Sequence, residues 1–265
     1  MIPGYDTKRP NKKNYDEFKN KFISNISNNN LKDISLMLYG SYVRGDYIPG
    51  RSDIDGVLIF PDNVIINKES LLKCSKALEL GLRDTHIPIQ ISIADLGTSK
   101  DGRFNSFGEE FENYFLDEAK ILIGPDYRNQ IRYLPTKSSI LHTATFNLRK
   151  SRTGLFKSFY DKENDYTSLI KNFEKGLETA VNSTKQIAYL TDKNLRTNKF
   201  SSLKFISQNY PNVNLDSIEI IKKLFQNPSK LDKIYQNFDE MIILWSNSLN
   251  TFESLVKEYI ENVPK

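Results

Sequence analysis

The chain has 265 residues, 38% of them hydrophobic and 26% charged, with a formal net charge of +4. That composition fills one large core or two smaller ones and excludes a collagen-like repeat, a disulfide-stapled module or a wholly disordered chain. The single cysteine, Cys74, excludes an intramolecular disulfide and a multi-cysteine zinc site. No window approaches the ~18 apolar residues of a membrane span, so a cytoplasmic protein with no membrane partner is expected.

Charge is uneven: 17 basic against 19 acidic residues over 1–130, and 20 against 14 over 131–265. The basic second half permits a nucleic-acid partner, but solvated helix faces account for it more simply.

Taken in chain order, residues 14–30 place Phe18, Phe22 and Ile23 at helical spacing before "SNNN", which predicts an amphipathic helix and a loop. "ISLMLYG" reads as a buried strand ending at Gly40, and "DIDGVLIF" as a second ending before Pro61. "LLKCSKALELGL" returns to helical periodicity. "IPIQISIADLG" alternates isoleucine at period two, a third strand. A helix over "GEEFENYFLDEA" and a short strand "KILIG" follow.

After "YLPTK" the pattern becomes helical to the end, with "YTSLIKNFEKGLETAVNSTKQIAYLT" and "KLDKIYQNFDEMIILWSNSLNTFESLVKEYIENV" as the longest runs. Leu169, Phe173, Leu177 and Val181 keep a spacing of four, and Trp245, Phe159, Tyr160, Tyr166, Phe173 and Tyr189 are expected in a bundle core. The expected class is α+β: a mixed sheet flanked by helices over 1–132, then an all-helical bundle over 133–265.

The stretch "YGSYVRGDYIPGRSDIDGVLIF" carries the chemistry. "GDYIPGRS" spells a phosphate loop with Arg51 in place of lysine, but such a loop must open a helix, and here a strand follows. On a strand, residues i and i+2 share a face about 6.6 Å apart, so Asp53 and Asp55 project together while Ile54 turns into the core. Paired carboxylates suit a hard divalent cation such as magnesium, which binds through one or two carboxylates plus substrate phosphates. Gly40 lets the chain pass close to a ligand, and Ser41 offers a hydroxyl and an N–H at the start of a short helix. Arg44 lies one helical turn on and can reach the same phosphate. Ser52 can orient Asp53 or touch a phosphate.

Together these residues resemble the signature of the DNA polymerase β-like nucleotidyltransferase superfamily: an apolar strand, Gly-Ser, a basic residue, then Asp-x-Asp opening the next strand. Gly40, Ser41, Asp53 and Asp55 match it. The resemblance implies magnesium, with two ions expected during turnover. It also implies transfer of a nucleoside monophosphate from a nucleoside triphosphate to an acceptor hydroxyl, on a small molecule such as an antibiotic or on a protein or RNA. The order of domains is similar to that of antibiotic nucleotidyltransferases, whose second domain helps hold the acceptor.

One departure follows from the resemblance. The family carries a third carboxylate early on a later strand, and that place falls at Gln90, a residue that cannot accept a proton at neutral pH. Asp95 can fill the role, although it lies about 16 Å along the strand and on the opposite face if the strand is regular. Glu109, Glu110 or Glu112 can serve instead. The third alternative is a weakened or inactive scaffold, a nucleotide- or partner-binding module.

Overall fold

The computed structural model describes residues 9–27, 31, 33–83, 85–102, 107–133, 136–193 and 198–262. Of these, residues 9–136 pack as one unit and residues 137–262 as another.

The first unit runs α1 (Lys12–Ser27), β1 (Ser35–Tyr39), the single-turn helix α2 (Ser41–Arg44), β2 (Ile54–Phe60), α3 (Lys68–Leu82), β3 (Ile89–Asp95), α4 (Leu96–Asp101) and α5 (Glu109–Asn113). A π-helical turn over Tyr114–Glu118 then leads into β4 (Lys120–Ile123). The sheet order is β3-β2-β1-β4. β1 is antiparallel to both β2 and β4, and β2 is parallel to β3, so the sheet is mixed and the class is α+β.

Both faces of the central strands are covered, which is why "GVLIF" is a continuous apolar run rather than an alternation. On one face Leu36, Leu38, Ile54, Leu58 and Phe60 meet Tyr15, Phe18, Phe22 and Ile26 of α1 and Cys74 and Ala77 of α3. Each large side chain buried there contributes roughly 1.5–3 kcal/mol. On the other, Met37, Val57 and Ile59 meet Leu96, Phe115 and Ile131. Asp55 continues the row of Val57 and Ile59 at the point where this cover ends, and it is half-buried.

The helix expected across "GEEFENYFLDEA" divides into α5 and the π-helical turn, whose wider spacing lets Phe111, Tyr114 and Phe115 all reach the ring of Tyr39.

The second unit contains α6 (Thr136–Asn164), α7 (Tyr166–Asp192), α8 (Leu203–Asn209), α9 (Asp216–Phe225), α10 (Pro228–Ile234) and α11 (Phe238–Asn262). Leu169, Phe173, Leu177 and Val181 are all fully buried on α7. Trp245 on α11 lies fully buried against Gly154 and Gly176, where an added Cβ would overlap the indole, and its N–H donates to Ser151 Oγ at 3.1 Å. The continuous helix expected from Lys230 onward is two helices. Asn237 starts the second as its N-cap: its Oδ1 accepts from the Glu240 N–H at 3.3 Å, and its side-chain amide donates to the Glu240 carboxylate at 2.7 Å. Phe159 and Tyr160, expected in the bundle core, are exposed at 67% and 66%, because they fall on the outer side of α6. Among the described residues no helix is long and apolar enough to cross a membrane.

Candidate active site

The site lies at the ends of β1 and β2, where the chain leaves the sheet. Gly40 follows β1 with φ +80°, and the space where a Cβ would stand is 2.6 Å from Asp55 Oδ2. Only glycine combines that backbone with so close a carboxylate. α2 starts at once: the Val43 and Arg44 N–H groups both donate to the Gly40 carbonyl, at 3.1 Å each. The N–H groups of Ser41 and Tyr42 precede the first bonds of the helix, as at every helix start. Gly45, at φ +87°, closes the turn on the Ser41 carbonyl. A strand, not a helix, follows Ser52, so no phosphate loop of the Walker kind is present.

Asp53 precedes β2 and Asp55 is its second residue, paired across the antiparallel ladder with Tyr39. Burial raises the Tyr39 phenol well above its ordinary value, and the charges of Asp55, Asp53, Tyr114 and Glu118 push it further. The charges of both aspartates and of Glu118 are thus felt at one tyrosine. On the opposite side Asp55 pairs in parallel register with Gln90, an exposed residue of the edge strand. Side chains in one register row share a face, so Gln90, Asp55 and Tyr39 stand abreast on the same side of the sheet.

The loop from α2 to β2 is pinned from below. The Tyr15 hydroxyl donates to the Ser52 carbonyl at 2.5 Å, the Tyr42 hydroxyl donates to the Tyr15 carbonyl at 2.9 Å, and Tyr47 packs on both rings. Ser52 Oγ accepts from the Ile48 N–H at 2.8 Å, which makes it part of this loop's own bracing.

Arg44 is held by two carboxylates. Nη1 donates to Glu118 at 2.9 and 3.1 Å, and Nε to Asp46 at 3.2 Å. Burial lowers its pKa, but the bonds to Glu118 and Asp46 outweigh it and hold the guanidinium above its ordinary value. Glu118 is absent from any reading of the motif. It lies 74 residues from Arg44, and only the pairing of β4 with β1 brings it there.

Asp95 is committed elsewhere. It ends β3 and caps α4, its carboxylate accepting from the Thr98 N–H at 2.6 Å, the Thr98 hydroxyl at 2.6 Å and the Val64 N–H at 3.1 Å. Burial would raise its pKa, yet those bonds hold it below the ordinary carboxylate value. It pairs with Phe60, at the far end of β2 from Asp55. The side chains of Glu109 and Glu110 lie outside the described residues; Glu112 is half-buried and close enough to push up the Tyr133 phenol, after burial. Cys74 is buried in the α1–α3 core and its thiol is pushed up to about 11 by that burial, which suits a packing residue.

Among the described residues no group of three or more histidines, cysteines or acids is placed to hold a metal as a protein cage. Asp55 against the Gly40 turn, with Asp53 two residues before it, fits instead the way a hard divalent cation binds when substrate phosphates complete its shell.

The mixed sheet, with an Asp-x-Asp pair at the start of one strand beside a Gly-Ser turn ending its neighbour, is the arrangement that the sequence resemblance implies. Residues 19–112 match the family model described as Nucleotidyltransferase domain. This part of the chain is a nucleotidyltransferase domain, consistent with the polymerase β-like superfamily, and such a domain serves nucleotidyl transfer from a nucleoside triphosphate, typically with a divalent metal. The match covers about a third of the chain and leaves the C-terminal helices outside it. No curated protein matches the sequence.

Proposed function

We propose that this protein is a magnesium-dependent nucleotidyltransferase that moves a nucleoside monophosphate from a triphosphate such as ATP to an acceptor hydroxyl. The observation that carries the reading is Asp55 lying directly against the Gly40 turn, which brings a carboxylate and a phosphate-receptive backbone together on rigid strands. In this reading Asp53 and Asp55 hold the metal, while the Ser41 hydroxyl and the first N–H groups of α2 hold phosphate oxygens. Magnesium, when bound, neutralises the phosphates and acidifies the attacking hydroxyl.

The acceptor oxygen attacks the α-phosphorus in line, the bond to the β-phosphate oxygen breaks, and pyrophosphate leaves with the electron pair. The acceptor proton goes to a base or to water. Gln90 stands beside Asp55 and can orient a water or the acceptor through its amide, but it cannot take the proton. A small hydroxylated molecule such as an antibiotic is the first acceptor to test, and a protein or RNA end the second.

The register of Gln90 with Asp55 also supports a second reading, a nucleotide-binding or partner-binding module with little turnover. Pyrophosphate release across acceptors, measured beside triphosphate binding with and without magnesium, separates the two. Binding with release supports the transferase; binding alone supports the nucleotide-binding module; no binding of any triphosphate contradicts both of these and leaves only the partner-binding form of the module.

A further inference from the structure

Glu118 takes no part in the chemistry proposed above, yet it is firmly engaged at the turn. Its side chain is only 10% exposed. Oε1 accepts from the Gly40 N–H at 3.0 Å and from Arg44 Nη1 at 3.1 Å, and Oε2 accepts from the same Arg44 nitrogen at 2.9 Å. One side chain thus ties the residue before α2 to the last residue of α2.

The sheet explains why an acid is needed at that place. Leu38 pairs with Lys120 in the antiparallel β1–β4 ladder. Two residues further along each strand, the next pair would be Gly40 with Glu118. The ladder stops short of it, because Glu118 belongs to the π-helical turn. The Gly40 N–H therefore loses the backbone carbonyl that a longer β4 would offer, and the Glu118 side chain accepts in its stead. That N–H is taken by Glu118, so the groups of the turn left for a phosphate are those that follow it, on Ser41 and Tyr42.

Arg44 takes a different part from the one its spacing suggests. Its Nη1 is given to Glu118 and its Nε to Asp46. A guanidinium between two carboxylates has little net charge to offer an incoming phosphate. It is well built, however, to brace the C-terminal end of a four-residue helix that has no buried residues of its own.

We infer that Glu118 is a positioning residue for the nucleotide: with Arg44 it clamps the Gly40–Arg44 turn so that the Ser41 end of α2 stays aimed at the phosphates. This rests on the nucleotidyltransferase reading. A clamp and a competing anion make opposite predictions. A carboxylate that blocked the phosphate site would weaken triphosphate binding in the wild type, and its removal would tighten it; a clamp, once removed, loosens the turn and weakens binding.

The test is calorimetric binding of ATP, GTP, CTP and UTP with magnesium to the full chain, as wild type, Glu118→Ala, Glu118→Gln and Arg44→Met, with thermal melts of each. For the triphosphate bound most tightly by the wild type, Glu118→Ala and Arg44→Met should each weaken binding about tenfold or more, the effect of removing one charge-assisted hydrogen bond. Glu118→Gln, whose single carbonyl oxygen can keep both bonds made by Oε1 but whose amide nitrogen cannot accept from Arg44 Nη1 as Oε2 does, should weaken binding less than Glu118→Ala. The Glu118→Ala, Arg44→Met double variant should bind no worse than either single variant, since both cut one clamp. If Glu118→Ala does not fold, Arg44→Met and Glu118→Gln carry the same comparison. Glu118→Ala binding as well as the wild type or better, or Arg44→Met and Glu118→Ala weakening binding additively, overturns the clamp while leaving the transferase reading intact. A wild type that binds none of the four triphosphates overturns the transferase reading, and the clamp falls with it.

Discussion

Asp53 and Asp55 look alike in sequence to Asp95, another aspartate on a strand of the same sheet, but their surroundings give them different work. Asp53→Asn or Asp55→Asn should lower pyrophosphate release at least ~100-fold, the scale of removing an electrostatic group at a reacting centre, without shifting the melting temperature. Asp95→Ala should do the reverse, costing about 1–2 kcal/mol as a lost helix cap while turnover per folded molecule is kept. Because its folded pKa is depressed, Asp95 contributes stability that is present above the ordinary value of 3.8 and is lost as pH falls through its folded value. The melting difference between wild type and Asp95→Asn should therefore shrink on acidification below that value. The Gly40–Ser41 turn and the Asp-x-Asp pair were legible because each is a local pattern of residue types. Glu118 was not, since nothing within its own neighbourhood of sequence marks an acid that pairs with a residue 74 positions away.

At the scale of elements, α1 does more than cover the sheet. Its Tyr15 reaches under the loop that delivers Asp53, and Tyr15→Phe should cost about 1 kcal/mol for the lost bond to the Ser52 carbonyl, read by chemical denaturation. Burial, in Tyr15 offset in part by a backbone hydrogen bond and joined by the charge of Asp53, pushes the phenols of Tyr15 and Tyr42 up to about 12. Their folded values exceed the ordinary 10.0, so the stability they carry is complete below pH 10.0 and is lost as pH rises toward about 12. In a base titration the difference in phenolate absorbance between wild type and Tyr15→Phe should appear together with loss of circular dichroism in that window, rather than before it. The four strands were legible from apolar runs and alternation. The π-helical turn was not, because its signal is the placement of three aromatics around Tyr39, which only the folded sheet supplies. The start of α11 was marked in sequence by Asn237 and Glu240, a capping pair hidden inside a longer apolar period.

Over the whole molecule, the two units have separate cores, and the only tryptophan, Trp245, belongs to the helical one. Its fluorescence is therefore a local reporter. Gly176→Ala, which forces a methyl group against the indole, should destabilise the fluorescence-detected transition by about 1–3 kcal/mol, and Asp53→Asn should leave that transition unchanged. The change from mixed strands and helices to long helical periodicity was legible in the sequence. Which side of α6 faces outward was not visible, because Phe159 and Tyr160 carry the same apolar signal as the buried aromatics of α7 and α11.

The central claim is that Asp53 and Asp55 open onto the Gly40–Ser41 turn as a metal-dependent triphosphate site. Calorimetric titration of the wild type and Asp53→Asn with ATP, GTP, CTP and UTP, each with magnesium and with chelator, tests it most directly. The account predicts binding of at least one triphosphate by the wild type that needs magnesium and disappears in Asp53→Asn. Equal binding by the two proteins, or binding indifferent to magnesium, contradicts it.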